Sequence, residues 1–221
     1  MTRRFGWTVL GLLLAAAACS DIAQPLRDDF YEWRLTVPSA SGTGEDSLSF
    51  HWPRNRLPVR IWAEDAAGLP GHVGGGIAAW RNAFLYDEFD ATVVGDSSAA
   101  DVIVRAGPAP GPALSRVRLH AAMAPECDGA TDLEISDDHT QLLLPIRIYI
   151  DPGFAPEADL TRCVALTTTH ELGHALGLFR HSDAPTDLMF ADPAVSAPSD
   201  RDLETVEMIY HVPADLEPVG R

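Results

Sequence analysis

The run His170-Glu171-Leu172-Gly173-His174, with Gly177, His181 and Met189 after it, limits what this chain of 221 residues can fold into. On a helix, residues four apart project from the same face, one turn apart. Two imidazoles at that separation can share a tetrahedral zinc ion at about 2.0–2.1 Å per bond. Glu171 lies beside them and can reach a water on the metal without being a ligand. The helix must then stop so that a third ligand can return to the same ion. Gly177 is the residue type that permits the left-handed turn this needs, and His181 follows it. A buried helix with two hydrogen-bonded histidines is the plainer reading, and Val164, Ala165, Leu172, Ala175 and Leu176 are apolar enough for one. Such a helix has no use for a charged Glu between the histidines, because a buried charge is costly.

His170–Leu178 (HELGHALGL), the pair His181-Ser182 and Asp187-Leu188-Met189 resemble the metzincin zinc proteases, in their matrixin-like branch. The resemblance covers roughly Pro58 to Val212 and is specific only in 165–190. It implies a zincin-like α+β domain: a twisted mixed β-sheet with an active-site helix and a C-terminal helix. It also implies that His170, His174 and a third His bind catalytic zinc, that Glu171 is the general base, and that Met189 forms a turn beneath the metal. One position departs from the pattern. The family's third His falls where this chain has Arg180, whose guanidinium has no lone pair to offer. His181 is one residue late, and from it the spacing to Met189 again fits, so a one-residue insertion precedes His181. An acid, Asp183 or Glu204, is the alternative third ligand.

Composition and the N-terminus bear on compartment and partners. The 46% apolar and 22% charged content is that of a globular chain. The positive charge is all Arg, and the formal net charge of −16 disfavours nucleic acid as a partner. An anionic membrane would repel such a surface unless the protein were anchored. Arg3 and Arg4 precede an apolar run, Trp7 to Ala18, that is too short to span a bilayer. Ala16-Ala17-Ala18-Cys19 then fits a bacterial lipobox. The reading is export as a lipoprotein, lipid-modified at Cys19 and held at the outer membrane or cell surface, with simple secretion as the alternative. Cys127 and Cys163 remain, and an even pair in an exported chain suggests one disulfide.

Four segments are expected: a signal peptide over 1–18, a tether over 19–55, the metalloprotease domain over 56–213, and a tail over 214–221. Pro58–Ala63 reads as a strand. Gly71–Gly76 reads as a turn into a helix over Gly76–Asp87, with Ile77, Trp80, Phe84 and Leu85 on its apolar face. Ala91–Val94 and Asp101–Arg105 are short strands, and Leu114–His120 is an edge strand. In metzincins that edge takes bound peptide by strand addition. Cys127–Asp138 reads as an acidic solvated loop, with Ca2+ held by its oxygens as the weaker alternative. Leu142–Ile150 is a buried strand. Ser199 opens a last helix with Leu203, Val206, Ile209 and Tyr210 as its apolar face.

These readings converge on a monomeric zinc endopeptidase acting on proteins or peptides outside the cytoplasm. The competing class is a zinc-binding but inactive lipoprotein that captures peptides or partner proteins.

Overall fold

The computed structural model describes residues 29–111, 116–123, 127–153 and 157–220. The expected signal peptide and Cys19 lie outside them. Among the described residues no helix is long and apolar enough to cross a membrane.

The strands in chain order are β1 (Leu35–Pro38), β2 (Glu45–Leu48), β3 (Val59–Ala63), β4 (Ala91–Val94), β5 (Val102–Ala106), β6 (Arg116–Met123), β7 (Cys127–Ile135), β8 (Gln141–Asp151) and β9 (Glu217–Val219). The helices are α1 (Leu69–Arg81), α2 (Glu157–Ala175) and α3 (Asp200–Tyr210). The main sheet has the order β4-β3-β5-β8-β7-β6, with β9 parallel to the first residues of β8. Strands β3, β4, β5 and β8 run parallel, β7 is antiparallel to β8, and β6 is antiparallel to β7. The fold is thus α+β around a mixed sheet. Alternation in β3 turns Val59, Ile61 and Ala63 inward. Val59, Ile61 and Val102 meet Ile77 and Trp80 of α1, Leu172 of α2 and Leu176 just beyond it around one small void. As expected, the strand after β5 lies at the sheet's edge.

Five sequence expectations are corrected. Residues 29–55 are not a tether. Tyr31, Trp33, Leu35, Val37, Leu48, Phe50 and Trp52 are buried in the same core, and β1 and β2 form a hairpin. Average composition made the segment look like a linker, but burial energy scales with apolar area, and a few aromatics supply most of it. The tail is not free either: Leu216 is buried, and β9 extends the sheet.

Gly74, Gly75 and Gly76 lie inside α1 rather than in a turn before it. An interior glycine costs a helix about 1 kcal/mol. Gly76 earns its place by contact, since a Cβ there would come 2.7 Å from Leu172 Cδ1 on α2. The helix also ends early, at Arg81, leaving Leu85 83% exposed instead of on a core face.

Cys127–Ile135 is an inner strand, not an acidic loop, and among the described residues its carboxylates form no group of three close enough to hold one ion. Asp132 is buried and takes two hydrogen bonds from the Arg118 guanidinium, at 2.7 and 2.9 Å. Arginine on the neighbouring strand neutralises this acid.

Candidate metal centre

α2 carries the candidate ligands into the core. From Thr167 to Phe179 every residue is buried, so the helix presents no solvent face there. His170, Glu171 and His174 are fully buried. The helix stops at Gly177, whose φ is +112°. Leu178 N–H reaches back to the Gly173 carbonyl at 3.1 Å, closing the helix end. Gly177 has a second reason to be glycine: a Cβ would overlap the Phe50 carbonyl oxygen. The chain then turns, and Phe179 N–H donates to the Trp33 carbonyl at 2.9 Å. The N-terminal segment therefore braces the stretch that returns His181.

That return brings three imidazoles together. The ring centroids are 4.9 Å apart for His170 and His174, 5.2 Å for His170 and His181, and 5.1 Å for His174 and His181. Among the described residues His170, His174 and His181 form the one group of three or more His, Cys, Asp or Glu able to hold a metal ion. His174 Nε2 and His181 Nε2 stand 3.3 Å apart. Bonds of about 2.0–2.1 Å in a tetrahedron give ligands about 3.3–3.4 Å apart, so this edge fits. Neither acid alternative belongs to the group. Asp183 is exposed and held by Arg201 Nη1 at 2.8 Å.

The tautomers follow from the outer hydrogen bonds. His170 Nδ1 contacts the Leu188 carbonyl at 2.7 Å, and His174 Nδ1 contacts the Leu178 carbonyl. A carbonyl only accepts, so each Nδ1 carries the hydrogen and each Nε2 keeps its lone pair. His170 Nε2 is buried with no hydrogen-bond partner, as is Glu171 Oε1. A buried polar atom without a partner is costly and needs an explanation. A metal ion for the nitrogen, and a water or substrate group for the oxygen, supplies one.

Burial also sets the charges. It pushes His170 down to about 3, helped by the neighbouring His181 and opposed by the bond to Leu188. It holds His174 well below its ordinary value, with His170 and His181 adding to the effect. Both imidazoles are therefore neutral at any ordinary pH, which is the ligand form. Burial pushes Glu171 up to about 8, against the Thr131 hydrogen bond and with Asp128 adding a little. In the metal-free protein Glu171 keeps its proton near neutrality, and a nearby cation would release it.

No protein-family model matches this sequence, and no curated protein does.

Met189 is buried against α2 at Gly173. A Cβ on Gly173 would fall 2.5 Å from Met189 Sδ and 2.7 Å from Trp80 Cζ2, so the glycine makes room for both. Asp202, fully buried on α3, accepts from Leu188 N–H at 2.7 Å and from Tyr31 Oη–H at 2.9 Å. It thereby fixes the carbonyl that orients His170. In the sequence Asp202 is legible only as part of the helix-opening Ser-Asp-Arg-Asp run, where it does complete a capping box with Ser199. Cys127 and Cys163 form a disulfide with Cα atoms 5.9 Å apart. Thr131, which donates to Glu171 Oε2 at 2.6 Å, has no sequence signal at all.

Proposed function

We propose that this chain is a zinc-dependent endopeptidase of metzincin type, with His170, His174 and His181 as ligands and Glu171 as general base. The observation that carries the reading is the trio of imidazoles, His170 and His174 buried, with the Nε2 atoms of His174 and His181 at tetrahedral spacing, next to a buried carboxylate with one oxygen unpartnered. Three imidazoles, with no fourth protein ligand beside them among the described residues, suit a catalytic site, whereas structural zinc sites are closed by four.

Zinc, when bound, would supply Lewis-acid chemistry: it would polarise the scissile carbonyl and bring the pKa of a water towards neutrality. Glu171 Oε1 then takes the proton of the attacking water and passes it to the departing amine nitrogen. The buried wall around Glu171 keeps bulk water from competing for that proton. His181 is the least buried of the three imidazoles, so substrate approaches from its side. β6, paired on one side only among the described residues, offers its outer backbone edge to an extended peptide. Export is proposed with it, and the Cys127–Cys163 disulfide supports an oxidising compartment.

The test is zinc stoichiometry together with cleavage of a mixed peptide library by the purified protein. Glu171→Gln should keep the metal and lose about 10²–10⁴-fold in turnover. A wild-type protein that binds zinc and cleaves nothing would leave peptide capture as the activity.

A further inference from the structure

Strand β7 and helix α2 are matched rung for rung. Cys163, Thr167 and Glu171 lie four residues apart on one face of the helix, and Cys127, Gly129 and Thr131 alternate along one face of the strand. Four residues of helix advance about 6 Å and two of strand about 6.6–6.8 Å, so the two repeats stay in step over three rungs. The first rung is the disulfide. The second is packing: a Cβ on Gly129 would fall 2.6 Å from Thr167 Cγ2 and would overlap Glu171 Oε1. The third is the Thr131 hydroxyl, 2.6 Å from Glu171 Oε2 and 3.3 Å from the Glu171 carbonyl oxygen.

We propose that Thr131 is a positioning residue for Glu171: its hydroxyl holds Oε2, which leaves Oε1 as the oxygen facing the reacting water. This rests on Glu171 being the general base. A threonine hydroxyl has one hydrogen, and the nearest acceptor is Oε2. Oε1 is buried and unpartnered, so the two oxygens of one carboxylate have different surroundings. Gly129 is the complement, because any side chain there would occupy the space of Oε1. A carboxylate free to rotate about its last bond would spend much of its time misaimed. A misplacement near 1 Å can cost on the order of 10²-fold in rate.

The experiment uses zinc-loaded protein for kinetics and metal-free protein for thermal unfolding. Thr131→Val keeps the shape and removes the hydroxyl. It should lower kcat on the order of 10²-fold with KM and zinc stoichiometry unchanged. Thr131→Ser, which returns the hydroxyl, should recover most of that loss. Should Thr131→Val fail to fold, Thr131→Ala against Thr131→Ser makes the same comparison. In metal-free protein, Thr131→Val and Glu171→Met should be coupled, the double variant losing less Tm than the two single losses together. A Val variant with wild-type kcat, a Ser variant as impaired as Val, or additive Tm losses would each overturn the proposal. If the wild type cleaves no peptide, the peptidase reading falls, and the Tm cycle alone decides whether the hydroxyl holds the carboxylate.

Discussion

His181 Nε2 stands 3.3 Å from His174 Nε2, although Arg180 occupies the place where the metzincin pattern would put a ligand. The turn after Gly177 need not keep helical phase, so one extra residue is absorbed there while His181 still reaches the cluster. His181→Ala should therefore weaken zinc binding by more than the ~10–100-fold typical of removing a ligand's hydrogen-bond partner. Asp183→Ala and Glu204→Ala should leave it unchanged. Competition against a chromophoric chelator measures all three, and full affinity in His181→Ala would remove it from the ligand set.

Glu171 and His170 make the metal-free protein pH-sensitive in opposite directions. Glu171 titrates near 8 when folded against an ordinary 4.5, so between those values the native state holds a proton that the unfolded state has lost, and stability falls as pH rises. His170 titrates near 3 when folded against an ordinary 6.5, so between those values the unfolded state binds the extra proton and stability falls as pH drops. From pH 6.5 to 8 the Glu171 effect acts without His170. Glu171→Gln should gain stability over the wild type across that window, by up to about 1.4 kcal/mol per pH unit. Urea unfolding at several pH values reads it, and a gap that does not vary with pH rejects the assignment.

The N-terminal segment should be indispensable. A chain beginning at residue 56 loses Tyr31, Trp33, Phe50 and Trp52 from the core, and with them the Trp52 Nε1–H bond to the Ala175 carbonyl at 2.9 Å. Trp52→Ala alone should cost about 3–5 kcal/mol. Circular dichroism melts of the truncated and full chains compare them. A truncated chain that unfolds cooperatively at the full-length midpoint contradicts the packing described.

The disulfide closes a loop with a sequence separation of 36. Replacing Cys127 and Cys163 together by Ser should lower stability by about 3–4 kcal/mol on the chain-entropy account. Thiol counting on denatured, unreduced wild type should find neither cysteine free. Two free thiols, or a double variant of undiminished stability, would count against the bond.

The sequence alone determined what depends on short spacing. The i, i+4 histidines, the glycine that ends their helix, the serine cap of α3 and the alternation in β3 follow from the period of one helix or one strand, which no distant residue alters. Tertiary structure decided whatever needs two distant elements to meet. Nothing local marks Thr131 as the partner of Glu171, because the pairing exists only once β7 lies along α2. The same holds for Asp202 behind Leu188 and for Trp33 against Phe179. The glycines of α1 and the aromatics of 29–55 read as turn and tether because composition averages over a segment, whereas packing acts through single contacts. Gly76 is read correctly only with Leu172 beside it. His181 belongs to both levels: its spacing from Met189, set against the metzincin pattern, singled it out, and only the fold brought its ring to the other two.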